Sequence, residues 1–118
     1  RLFEGTPAQM LDSLDRLAAL PEATQVCCTH EYTLSNLRFA RAVEPDNAEL
    51  AAYAAQCTDL RQRNLPTLPS SIGREKLINP FLRSRVPAIT AAMRQRSAQP
   101  ALDEVGVFGA LREWKNVF

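Results

Sequence analysis

The sequence predicts an α+β chain that is mostly α-helical, and three observations support this class. Apolar residues recur at helical spacing through most of the 118 residues. Only one short stretch, residues 24–28, is partly β-branched and typical of a buried strand. Prolines and capping residues separate the periodic segments from one another. The expected order is therefore a helix, one strand, and then helices without a further strand.

The first helix has a well-defined predicted start. Thr6 is a suitable N-cap, Pro7 suits the first helical position, and Gln9 completes a capping box. Pro21 is expected to end this helix before the strand at residues 24–28 begins. A helix that leads into a buried strand is typical of an α/β layer arrangement.

Four capping or breaking signals organise the rest of the chain. Thr33 is predicted to cap the second helix, and Asp46 the third. Residues 64–71 contain two prolines and are expected to form an extended connection. A fourth helix is predicted at residues 86–96, and Asp103 is expected to cap a last helix that reaches about Lys115.

Composition narrows the classes of function. The chain has 14 basic and 13 acidic residues, a balance that does not favour binding to nucleic acid or to a membrane surface. No apolar stretch approaches the roughly 20 residues of a membrane span. The three cysteines, of which Cys27 and Cys28 are adjacent, do not suggest a disulfide framework, so we expect a reducing, cytoplasmic compartment. Because the first residue is an arginine and not a methionine, we expect the chain to be part of a longer protein.

The residue best suited to catalysis or metal binding is His30, the only histidine. It follows the predicted strand, and ligand sites of open α/β sheets gather at such strand ends. A zinc site, however, needs three or four ligands, and no Cys or His spacing in the chain supplies the others. Considered alone, an isolated histidine is more often structural.

Five groups of short motifs extend over nearly the whole chain. They are residues 3–6; residues 28–33 with Asn36, Phe39 and Ala40; residues 44–45 and 66–69; residues 79–83; and residues 112–116. In this order they resemble the C-terminal part of glyoxalase II, or hydroxyacylglutathione hydrolase, of the metallo-β-lactamase superfamily. The resemblance implies that residues 1–32 end a metallo-β-lactamase-type αββα domain. It implies that residues 33–118 form the helical glutathione-binding C-terminal domain.

The resemblance also implies a reaction, the hydrolysis of S-D-lactoylglutathione to D-lactate and glutathione by a metal-bound hydroxide. The family holds two divalent metal ions, zinc with iron or manganese as alternatives, through His and Asp residues. Of these ligands only the last histidine is carried over, onto His30, and no other catalytic residue is. The remaining ligands would lie in an upstream metallo-β-lactamase domain segment, so we expect the chain alone to hold no metal and to be inactive.

The second implied role is binding of the glutathione thioester. Glutathione has a carboxylate at each end, which suits cations and hydrogen-bond donors. Arg112 and Lys115 are three residues apart on one side of a predicted helix, and the resemblance assigns them to the glycine carboxylate. Arg1, Tyr32 and Asn36 match other substrate-contacting positions. The alternative is that Arg112 and Lys115 are a solvated pair beside an apolar stripe.

The chain departs from the family pattern at Arg1 and Phe3, where many members have Lys and Tyr. Phe3 lacks the hydroxyl group, so we expect a changed affinity for glutathione.

Two other functions fit the residues. One is a non-catalytic module that binds glutathione or a protein, and it predicts glutathione affinity in the isolated chain. The other is an interaction domain, which predicts self-association alone.

Overall fold

The computed structural model describes all residues from 1 to 118 and divides them into two compact units. The first unit contains Arg1–Ala19 and Pro80–Phe118, and the second contains Leu20–Asn79. Along the chain the elements are α1 (Pro7–Ala18), β1 (Gln25–Val26), α2 (Thr33–Val43), α3 (Ala48–Gln62), β2 (Ser70–Ser71), α4 (Ile72–Ile78), α5 (Pro87–Arg96) and α6 (Glu104–Val117). Six helices with one very small sheet confirm the mostly helical α+β class.

None of these helices has the length and apolar character that crossing a membrane requires. The predicted domain boundary after residue 32 concerns the organisation of a longer protein, and it stays a prediction.

In the first unit, α1 and α5 both pack against α6. The predicted capping box is confirmed, because the backbone N–H of Gln9 donates to Thr6 Oγ1 at 3.2 Å and that of Thr6 donates to Gln9 Oε1 at 2.9 Å. Asp103 caps α6 as predicted. The buried apolar residues of this unit are Leu11, Ile89, Met93, Val107, Phe108 and Leu111. Helix α6 therefore forms the centre of the unit, and its position is fixed from two sides.

An ion-pair network joins the elements of the first unit at its surface. The guanidinium of Arg85 donates to both carboxylate oxygens of Asp15 at 2.7 Å, and its Nε donates to Glu104 Oε2 at 2.9 Å. The hydrogen bond from Arg85 lowers the pKa of Asp15. One side chain thus connects α1 with the first residue of α6.

In the second unit, α2 packs against α3, and α4 packs against α3 and β2. Its core contains Leu37, Ala40, Leu50, Tyr53, Ala54, Cys57 and Ile78. Two predicted caps are wrong. Asn47, not Asp46, caps α3 by accepting from the backbone N–H of Leu50 at 3.0 Å. Tyr32 occupies the N-cap position of α2, and Thr33 is the first helical residue.

The predicted strand at residues 24–28 is shorter and less buried than expected. β1 contains only Gln25–Val26, and Cys27 and Cys28 are exposed. β1 pairs antiparallel with β2, so the expectation of no further strand is also wrong. The partner strand is only two residues long, and this limits the length of the ladder.

The sequence also gave no indication of α4, which follows the predicted extended connection. Ser71 caps this helix by accepting from the backbone N–H of Arg74 at 3.1 Å. α4 has only seven residues, one of which is Gly73, so its periodic signal is weak. Together, β2 and α4 bring the connection after α3 back beside β1.

Candidate functional site

His30 lies in the short exposed segment between β1 and α2. Its imidazole stacks on the ring of Tyr32, with 5.0 Å between ring centroids and an interplanar angle of 9°. The backbone N–H of Tyr32 donates to the carbonyl of His30 at 3.0 Å. Tyr32 itself is 61% exposed. The segment therefore presents both rings to the outside as a pair.

Glu31, which lies between His30 and Tyr32 in the sequence, anchors the segment to the connection after α3. Its carboxylate accepts from the backbone N–H of Thr67 at 3.0 Å and also from the Thr67 hydroxyl. The hydroxyls of Thr67 and Thr33 are 2.6 Å apart. The hydrogen bond from the Thr67 hydroxyl contributes most to lowering the pKa of Glu31, and the bond from the Thr67 backbone N–H lowers it further, so the carboxylate stays charged.

This network explains why Thr33 does not cap α2. Its hydroxyl is engaged by Thr67, which is only 7% exposed, and is used for a tertiary contact instead. The helix begins without a side-chain cap. Its first residue is instead held by the contact of Thr33 with Thr67, which is 34 residues further along the chain. The position of His30 thus depends on Glu31 and Thr67, which the sequence did not indicate as site residues.

Asn36 lies one helical turn after Tyr32. Its backbone N–H donates to the carbonyl of Tyr32 at 2.9 Å, and its side chain is exposed. The three predicted site residues of the second unit, His30, Tyr32 and Asn36, therefore follow one another along a single segment.

One side chain of this segment, that of His30, is the predicted metal ligand. No three His, Cys, Asp or Glu side chains of the chain lie close enough together to hold a metal ion. The exposed imidazole of His30 is a chemically suitable donor for zinc, iron or manganese. The imidazole of His30 therefore has the chemistry for one position of a metal site.

The first unit brings together the other three predicted site residues. Burial lowers the pKa of the amino group at Arg1, and the charges of Arg112, of the Arg1 side chain and of Lys115 lower it further. Arg112 and Lys115 lie one turn apart on α6, as predicted, and both are half-buried. Three basic residues thus meet in one region of this unit.

Arg112 has an unusual set of neighbours. Its Cζ lies 4.6 Å from the ring centroid of Phe81, and burial lowers the pKa of its guanidinium. Its Nε is buried and has no hydrogen-bond partner. The only acceptor that it contacts is Asn116 Oδ1, at a long 3.5 Å. The guanidinium therefore has no carboxylate partner in the chain.

Phe3, the second departure from the family pattern, precedes α1. It is 83% exposed, and its backbone has a φ of 53°. That left-handed conformation is uncommon for a bulky side chain. A change of affinity through Phe3 stays a prediction.

These features define the chain as a mostly helical protein with a cationic region in one unit and an exposed histidine segment in the other. Residues 31–118 match the family model described as hydroxyacylglutathione hydrolase C-terminus. The chain therefore belongs to the C-terminal family of the hydroxyacylglutathione hydrolases, as its motifs predicted.

Named relatives agree with this assignment. The chain is 61% identical to a hydroxyacylglutathione hydrolase of Albidiferax ferrireducens and 61% identical to one of Cupriavidus taiwanensis. It is 51% identical to one of Nitrosomonas europaea. Each match includes the whole chain but only 46%, 44% and 45% of the respective relative. The chain thus spans less than half the length of the curated relatives it matches.

Proposed function

We propose that the chain is the glutathione-binding part of a metal-dependent thioester hydrolase that converts S-D-lactoylglutathione to D-lactate and glutathione. The observation that carries the proposal is the guanidinium of Arg112, which has no carboxylate partner although Lys115 and Arg1 lie close to it. Three neighbouring positive charges, among them the guanidinium of Arg112 without a carboxylate partner, suit a ligand that brings its own carboxylate. Membership of the hydrolase family supports glutathione as that ligand.

Arg112 and Lys115 would bind the glycine carboxylate in complementary ways. A guanidinium presents a planar fork of donors and fixes the orientation of a carboxylate, whereas an ammonium adds a compact charge. Both side chains extend from the same turn of α6, whose position is fixed by the buried residues beside it. The cations are therefore held by a rigid element, and less side-chain freedom is lost on binding. Arg1 adds a third positive charge.

His30 would supply one ligand to a site for two divalent ions, with zinc, iron or manganese as the metals. The upstream metallo-β-lactamase segment would supply the others. A metal ion bound there would lower the pKa of water and polarise the thioester carbonyl. The chain's own contribution is to hold the imidazole in place, through the stack on Tyr32 and the anchoring of Glu31.

Tyr32 and Asn36 would contact the substrate beside this histidine. Both side chains are exposed, and both have hydrogen-bonding groups. The departing thiolate is a good leaving group, so no strong general acid is needed from the chain. The proposal also includes the domain boundary after residue 32 and a cytoplasmic location. The start of the family match at residue 31 and the three free cysteines support these two points.

The test compares hydrolysis of S-D-lactoylglutathione, with added zinc, by this chain and by an extended version. The extended version carries the upstream part of the Albidiferax hydrolase in front of this chain. That relative matches this chain over its whole length. We expect activity only in the extended version. Activity in neither protein, together with glutathione binding by the chain alone, would instead favour a non-catalytic binding module.

A further inference from the structure

We propose that Phe81 is a positioning residue that holds the Arg112 guanidinium ready for a carboxylate without neutralising it. This inference rests on the proposed function, because it concerns the same carboxylate site. Phe81 belongs to the motif at residues 79–83, to which the sequence comparison assigned no role.

The contact between Phe81 and Arg112 has the geometry of a cation–π interaction. The guanidinium carbon lies 4.6 Å from the ring centroid, well within the distance of about 6 Å at which an aromatic face attracts a cation. The ring attracts the cation through its quadrupole and has no charge of its own. A carboxylate in the same place would hold Arg112 more strongly, but it would compete with a carboxylate ligand.

The ring of Phe81 is itself fixed by the core of the first unit. It meets Phe108 edge to face, with 5.8 Å between centroids and an interplanar angle of 71°. Phe108 is completely buried in α6. Since Phe108 and Arg112 are four residues apart, they lie on the same side of the helix. Phe81 therefore packs along this side and contacts the core at one end and the guanidinium at the other.

The hydrogen bonding of Arg112 supports the same conclusion. Its Nε is buried and unpartnered, which is unfavourable for a donor and requires an explanation. Stacking on Phe81 provides one, because the ring holds the guanidinium in a place where Nε finds no acceptor. The terminal nitrogens make only the long contact with Asn116, so the fork remains available for a ligand.

The experiment uses the extended hydrolase and two ligands, S-hexylglutathione and its glycine amide, which lacks the glycine carboxylate. Calorimetric titration measures both dissociation constants for the parent, Phe81→Leu, Phe81→Met and Phe81→Tyr. We expect Leu and Met to weaken binding of the acid about 3- to 10-fold, which is the range of a cation–π contact, and binding of the amide less than about 2-fold. Tyr retains an aromatic face, so it should bind like the parent.

Two further variants separate this inference from the proposed function. Arg112→Gln should abolish the preference for the acid over the amide. Arg96→Gln is the matched control, since Arg96 also lies over an aromatic ring of this unit, at 4.2 Å from that of Trp114, and has no assigned role in binding. If Arg112→Gln leaves the preference intact, the carboxylate site itself is wrong.

If Arg112→Gln abolishes the preference but Phe81→Leu and Phe81→Met weaken both ligands equally, Phe81 contributes only packing, and the inference is overturned. A direct readout is the NMR signal of the Arg112 Nε–H group, which a ring beneath it should shift. The shift should disappear in Phe81→Met and persist in Phe81→Tyr. An unchanged signal in Phe81→Met would contradict the stacking.

Discussion

At the scale of single residues, the structure gives a physical reason for positions that the sequence only marked. Arg112 and Phe81 both belong to recognisable motifs, but their contact joins segments about 30 residues apart. Glu31 lies next to His30 in sequence, yet its partner Thr67 is 36 residues away. The family resemblance singled out the charged and ligating groups as candidates, and their roles stay predictions. The resemblance gave no role to the residues that contact these groups, because such contacts depend on long-range packing.

The anchoring role of Glu31 gives the first prediction. Glu31→Ala removes two hydrogen bonds to a charged acceptor and should lower the free energy of unfolding by about 1–2 kcal/mol, with allowance for its exposure. Urea denaturation followed by circular dichroism measures the change. Glu4→Ala, at an exposed position outside any helix, is the control and should have little effect. Equal stability of the two variants would mean that the anchor contributes nothing.

Ala98 offers a prediction of opposite sign. It follows α5 with a φ of 52°, and the next N–H, of Gln99, donates back to the carbonyl of Arg94 at 3.1 Å. This is the left-handed helix end at which glycine is preferred. Ala98→Gly should therefore stabilise the protein by about 0.5–1 kcal/mol, measured by thermal unfolding. Ala91→Gly, inside α5, should destabilise it by a similar amount.

At the scale of elements, the sequence predicted best those helix ends whose capping residues lie close together in the chain. The start of α1 was predicted correctly because a capping box is complete within four residues. The cap of α3 was misplaced by one residue, since Asp46 and Asn47 are both suitable caps and geometry selects between them. The strands and α4 were predicted poorly, because two-residue strands and a seven-residue helix have no distinct periodicity.

The network that joins α1 to α6 predicts a pH dependence. The pKa of Asp15 is lowered in the folded state, so its pairing with Arg85 contributes stability above the unfolded value of 3.8. That contribution is lost as the pH falls from 3.8 through the lower folded pKa. Both side chains are almost half exposed, which limits the effect to about 0.5–1 kcal/mol.

Urea denaturation between pH 2 and 6 should therefore show a smaller loss of stability in Asp15→Asn than in the parent. Asp12→Asn, an exposed position on the same helix, is the control and should lose stability at low pH as the parent does. If Asp15→Asn also behaves like the parent, the pair does not stabilise the contact between α1 and α6.

At the scale of the whole molecule, the two candidate sites lie in different units and should fail independently. In the extended protein, His30→Ala removes the proposed metal ligand and should reduce the bound zinc, measured by mass spectrometry, but leave binding of S-hexylglutathione within about 2-fold. Arg112→Ala should retain the zinc and weaken binding by about 10-fold or more. Loss of both properties in either variant would indicate one coupled site, or unfolding.

The pairing of β1 with β2 has a consequence for the order of folding. Gln25 faces Ser71, so the ladder closes a loop of about 45 residues, whereas α2 and α3 are neighbours in sequence and pack directly. Contacts that close long loops form late in folding, and they are opened at low cost when few groups support them. The helical hairpin should therefore assemble first, and the segment that carries His30 should become ordered only afterwards. In native-state hydrogen exchange, the amide of Thr67 should exchange before that of Tyr53. The segment that carries His30 would then be the part of this unit most accessible to a protease or a chaperone.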